Sequence, residues 1–76
     1  MNFKKINSSN LKSAGYDAEN ETLVVEFKSG DKYRYAPVPA ELYKEFEKEF
    51  DGEDGRSAGR FFHARIRSLP FEKVEE

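Results

Sequence analysis

With 76 residues, a net charge of -2 and 37% charged residues, the chain has room for one small domain. Its acidic balance excludes a cationic coat over the whole surface, though not a local basic patch. It contains no Cys, which excludes disulfides and thiolate metal sites, so seven Phe and four Tyr must supply the packing. Met1, Asn2, Phe3, Lys4 and Lys5 lead into Ser8, Ser9 and Asn10 rather than an apolar run. No apolar stretch approaches membrane-spanning length. The expectation is a cytoplasmic protein.

The first half reads as a β-meander. A short strand from Asn10 to Asp17 has Leu11 and Tyr16 as apolar anchors, and a polar turn over 17–20 follows. From Thr22 to Lys28 the residues alternate, with Leu23, Val25 and Phe27 on one face and Val24 and Glu26 on the other. Ser29, Gly30 and Asp31 form a tight hairpin signal, with Gly30 free to take positive φ. Alternation resumes from Lys32 to Ala36, where Tyr33 and Tyr35 oppose Lys32 and Arg34. Pro37 and Pro39 stop the ladder because neither has an N–H to donate.

The second half is helical. One helix starts at Pro39 or Ala40 and runs to about Phe50, with Leu42, Tyr43, Phe46 and Phe50 on one stripe. Glu41, Glu45 and Glu49 recur every four residues on its solvent side. A loop over 51–55 separates it from a second helix, N-capped by Ser57 and reaching about Ser68 before Pro70 ends it. Its apolar stripe is Ala58, Phe61, Phe62, Ile66 and Leu69. Residues 72–76 read as a frayed tail. The expected architecture is a single α+β domain over 1–76, with a core of about 8–71. A three-stranded antiparallel meander is followed by two α-helices packed on one face.

Four of the five arginines and the only histidine fall between Arg56 and Arg67, and no acid interrupts the run from Gly55 to Pro70. Arginine presents a planar fork of donors that suits phosphate and carboxylate. Arg56 and Arg60 flank Ser57 and Gly59 at the start of the second helix, whose unpaired N–H groups favour an anion. Pairing of these arginines with the neighbouring acids is the competing reading, and both stay open.

Ser8, Ser9 and Leu11, then Gly15, Tyr16 and Asp17, then Leu23, Val25, Phe27 and Gly30 fall in a recognisable order. Tyr33 and Tyr35, Val38 and Pro39, and Tyr43 continue it, and Ser57, Gly59, Phe61, Phe62, Ile66 and Arg67 complete it. This pattern, from about Ser8 to Phe71, resembles the KTSC family. That family is named for a domain at the C-terminus of some lysyl-tRNA synthetases, and it also occurs as free-standing bacterial and phage proteins. His63 stands where the family more often has Asn, and the loop over 51–55 is longer than in many members. The resemblance implies an RNA-binding role.

The expected function is a non-catalytic binding module for RNA or another phosphate-bearing partner. Arg56, Ser57, Gly59, Arg60, His63, Arg65 and Arg67 are its candidate contacts. Arg34 and Lys32 would extend the surface from the sheet, and Phe61 or Tyr16 would stack on bases if exposed. Tyr33 and Tyr35 are expected in the core, with a base-stacking platform as the alternative. The rival function is a protein-interaction or inhibitor module that docks through the acidic helix by Glu41, Glu45 and Glu49. A minor third is self-association through the uncovered sheet face at Val24; a monomer is otherwise expected. His63 has no second His or Cys for a metal, and neither Ser57 nor Ser68 sits in a nucleophile motif. No cofactor, metal or enzyme activity is expected.

Overall fold

The computed structural model describes residues 2–52 and 55–74. The fold is α+β: an antiparallel sheet in the order β1-β2-β3-β4-β5, with a helical layer inserted before the last strand. The strands are β1 (Phe3–Lys5), β2 (Leu11–Asp17), β3 (Thr22–Phe27), β4 (Lys32–Tyr35) and β5 (Phe71–Val74). The three-stranded expectation is corrected to five. Both added strands are edges, β1 is exposed throughout, and only Val74 of β5 is half-buried. They carry no apolar alternation from which to read them. Glu72, Lys73 and Val74 therefore belong to a strand paired with β4 and not to a frayed tail; 75–76 lie outside the described residues.

Cross-strand register defines the inner face. Tyr16 lies opposite Leu23, which lies opposite Tyr35, which lies opposite Phe71. Ala14 lies opposite Val25, and Val25 opposite Tyr33. Leu11 and Ala14 both point inward although three residues apart. A bulge between Leu11 and Ser13 makes this possible by leaving Lys12 as the extra residue. Leu11, Leu23, Val25, Val38, Phe46 and Ile66 are at most 1% exposed and form the centre of the core. Tyr35 is buried as expected, while Tyr33 is half-buried on the same face. Phe27 and Leu42 also pack against the core from its margin.

Helix α1 (Ala40–Glu47) stops short of Phe50. Glu49 and Phe50 donate to Phe46 and Glu47, three residues back, so the last turn is tightened rather than α-helical. Tyr43 stacks on Tyr16 at 4.4 Å between ring centroids and 6° between planes, which seats α1 over β2. Helix α2 (Ser57–Phe61) runs directly into a π-helical turn, Phe62–Ile66, closed by the Arg67 N–H bonding the Phe62 carbonyl. Ala58, Phe62 and Ile66 are all buried. Steps of four overshoot an α-helical turn by about 40° each, and the wider π turn takes up that overshoot. Phe62 meets Phe27 and Tyr35 edge-on, at 5.6 and 5.4 Å, on the same sheet face as the Tyr16–Tyr43 stack.

No helix among the described residues is long and apolar enough to cross a membrane.

Candidate functional site

The loop into α2 is held by the N-terminal segment. The Asn7 side chain donates to the Gly52 carbonyl at 2.7 Å, and its backbone N–H donates to Phe50 at 2.8 Å. Ser57 does not cap the helix. Arg56 occupies the cap position and no side-chain hydrogen bond closes it; Ser57 is the first helical residue, and its side chain lies against Gly52. A Cβ placed on Gly52 would lie 2.8 Å from Ser57 Oγ. The expected hydroxyl cap is thus replaced by a packing contact.

The arginines do not form one patch. Arg65 turns toward α1, where its guanidinium lies 3.4 Å from Glu45 Oε2 and 5.5 Å from the Phe61 ring centroid. Arg56, Arg60, His63 and Arg67 are exposed on the remaining surface of α2 and the π turn. Neither Arg60 nor Arg67 makes an ion pair among the described residues. Arg60 shares a shallow depression of about 350 Å³ with Glu49, Ser57 and Phe61. Burial pushes the Tyr35 hydroxyl pKa up, the neighbouring Tyr33 adds to this, and the positive charge of Arg67 opposes it.

Arg34 is not brought to this surface. It lies opposite Val24 and Glu72, on the outer face of the sheet, and pairs with the Glu72 carboxylate. Lys32, two residues earlier, shares that face. The alternation that turns Tyr33 and Tyr35 inward turns these cations away from the helices. Tyr16 is half-buried against Tyr43, and Phe61 is half-buried in a near-parallel stack on Phe46, so neither offers a free ring. Of the acidic stripe, Glu41 is exposed, Glu45 sits by Arg65 and Glu49 faces the Arg60 depression.

His63 is exposed, with its ring 5.9 Å from Phe62 and nearly perpendicular to it. With Gly59 it lines a cavity of about 310 Å³. The facing wall is Ser9, Asn10, Lys28 and Ser29. Ser8, a neighbour of that wall, is buried, and its hydroxyl oxygen accepts the N–H groups of Asn10 and Leu11. A Cβ on Gly59 would come no nearer than 3.8 Å to that oxygen. Among the described residues no three His, Cys, Asp or Glu side chains converge as metal ligands.

Sequence reasoning missed Lys5, Lys12 and Lys28, which come from three separate segments onto one cavity, and the exposed ring of Phe71. The lysines carried no local signal, because only the strand pairing brings them together. Phe71 was readable as an apolar residue just after the helix-ending Pro70.

A protein described as uncharacterized from Stutzerimonas stutzeri (strain A1501) is 54% identical over 37 residues, a segment that spans 49% of this chain and 52% of the relative. The crystal structure of KTSC domain protein YPO2434 from Yersinia pestis superposes with a TM-score of 0.82, at 28% identity, covering 97% of both chains. The KTSC domain family model matches residues 7–69. The chain belongs to the KTSC domain family.

Proposed function

We propose that the domain is a non-catalytic binding module for RNA, contacted through its phosphates by the outer surface of α2 and the π turn. The observation that carries this reading is the exposure of Arg60 and Arg67 without an ion pair among the described residues, next to exposed His63. A guanidinium left in water is poised to exchange hydration for a phosphate contact and release counterions from the nucleic acid. Arg65 contributes less, since Glu45 already offsets its charge. A binding role suits His63 better than catalysis, because among the described residues its ring contacts Phe62 and makes no hydrogen bond to a hydroxyl or carboxylate.

The test is a titration with a short single-stranded RNA at several salt concentrations. The logarithm of affinity should fall linearly with the logarithm of salt, with a slope of about -0.7 for each phosphate contact. Arg60→Ala combined with Arg67→Ala should flatten that slope and leave the fold intact. Absence of binding at low salt by the folded domain would sink the proposal. Loss of a protein complex on reversing Glu41 or Glu49, with the arginine changes silent, would instead favour docking through the acidic helix.

A further inference from the structure

Beside the cavity at His63 lies a second one of about 420 Å³, and Lys28 stands on the wall of both. The second cavity brings together Lys5 from β1, Lys12 from the β2 bulge and Lys28 from the turn that follows β3. Among the described residues Asp51 is the one carboxylate on its lining, against three lysines. Lys12 also lies 3.9 Å from the half-buried Glu26, at the outer limit of an ion pair, so this contact leaves most of its charge available. The Lys12 bulge matters because the extra residue turns this side chain out of the core while Leu11 and Ala14 remain in it.

The first cavity has a different character. Its floor is Leu11, Phe27 and Phe62, and its rim carries Ser9, Asn10, Ser29 and His63. The two walls are tied in place. Lys28 N–H donates to the Asn10 carbonyl at 2.8 Å, Ile6 N–H donates to Lys12 at 3.0 Å, and Ser8 holds the turn between them. An apolar slot with a few polar groups at its rim, of about 300 Å³ or more, is the usual form of a small-ligand site. The lysine-lined cavity that shares Lys28 with it adds a place for a phosphate.

We propose that this groove binds a single nucleotide unit, with its phosphate among Lys5, Lys12 and Lys28 and its base on the apolar floor at Phe27, beside His63. This rests on the phosphate-binding reading above and gives it a ligand unit. The same chemistry fits a free nucleoside monophosphate and the 5′-terminal nucleotide of a strand.

The experiment is an NMR titration of the intact domain with adenosine 5′-monophosphate, adenosine and inorganic phosphate. A parallel arm uses short RNAs with and without a 5′-phosphate. The monophosphate should shift the amides of Ser9, Asn10, Ser29 and Gly59 and the His63 ring, saturably. Adenosine should bind about tenfold more weakly, the loss expected for one charge-assisted contact. Lys12→Gln with Lys28→Gln should reduce monophosphate binding to the adenosine level without changing the spectrum of the core. A 5′-phosphate preference among the RNAs assigns the groove to strand ends, and its absence with monophosphate binding intact assigns it to free nucleotides. No shift at millimolar monophosphate, or shifts confined to Arg60 and Arg67, would overturn the inference. RNA binding that is lost with Arg60→Ala and Arg67→Ala but unchanged by the lysine variant overturns the groove and keeps the module. Monophosphate binding without RNA binding does the reverse.

Discussion

Replacing Phe46 by Ala tests the packing that places the helical layer. Phe46 is fully buried on α1 and meets three rings. It lies edge-on to Phe50 at 4.8 Å, near-parallel to Phe61 at 5.7 Å and tilted against Phe62 at 6.3 Å. Two of these partners belong to α2 and the π turn, so the ring couples the helices. Truncating a buried Phe costs roughly 3–5 kcal/mol, through lost transfer energy and an unfilled cavity. A domain of this length has a total stability of only about 4–11 kcal/mol, at roughly 0.05–0.15 kcal/mol per residue. The midpoint should fall by roughly 12–40 °C, at about 4–8 °C per kcal/mol in domains of this size. Thermal and urea unfolding followed by circular dichroism would measure it. Phe71→Ala serves as the internal comparison, because that ring is 58% exposed and its loss should cost about 1 kcal/mol. A Phe46→Ala midpoint within a degree or two of the parent, or no lower than that of Phe71→Ala, would refute the packing argument.

Two further outcomes are expected. Burial, the charge of Glu47 and a hydrogen bond to it push the Tyr43 hydroxyl from 10.0 up to about 12. The native state therefore keeps a proton that the unfolded chain gives up, so this contribution is whole below pH 10.0 and disappears as pH rises through about 12. Tyr43→Phe should remove one late step from the alkaline ultraviolet titration and flatten the loss of stability in that window; a tyrosine set that all ionises near 10 would contradict this. Gly52→Ala should destabilise by roughly 1–3 kcal/mol, as overpacking does, because its Cβ would fall 2.8 Å from Ser57 Oγ and 2.9 Å from Ser57 Cβ. In a Ser57→Gly background the same change should cost clearly less in denaturant unfolding, and additive costs would remove the contact from the explanation.

The middle of the chain was legible because burial is one-sided there. Leu23, Val25 and Phe27 alternate with Val24 and Glu26, and a strand with one covered face has to show that pattern. The helix stripes were legible for the same reason, since Phe46, Phe50, Ala58, Phe62 and Ile66 all reach the core. The edge strands were not, because backbone pairing rather than side-chain burial holds Phe3–Lys5 and Phe71–Val74 in the sheet. The bulge at Lys12 was hidden, since a sequence does not reveal where an extra residue interrupts a ladder. In the candidate site, the arginine run was visible as composition but its partition was not. Helical geometry sends Arg65 toward Glu45 and leaves Arg60 and Arg67 in water. The exclusion of Arg34 was available in advance, because Tyr33 and Tyr35 cannot both face inward unless Arg34 faces out.

Two glycines beside the second helix show how structural need and open space can be separated. Gly52 has no room for a methyl group, so packing against Ser57 is sufficient to account for it. Gly59 differs, because an added Cβ would meet only Ser8 Oγ, at an ordinary contact distance of 3.8 Å. Its backbone is helical, where Ala is favoured over Gly by about 1 kcal/mol. Neither steric exclusion nor local propensity therefore accounts for glycine at 59. What the absent side chain does provide is an open wall to the slot between Ser9, Asn10 and His63. The turn held by Ser8 and the helix carrying Gly59, from opposite ends of the family's sequence pattern, meet at the mouth of the proposed nucleotide groove. A glycine that contacts do not demand, at the opening of a cavity with an apolar floor beside a lysine-lined one, is the arrangement the proposed nucleotide groove calls for.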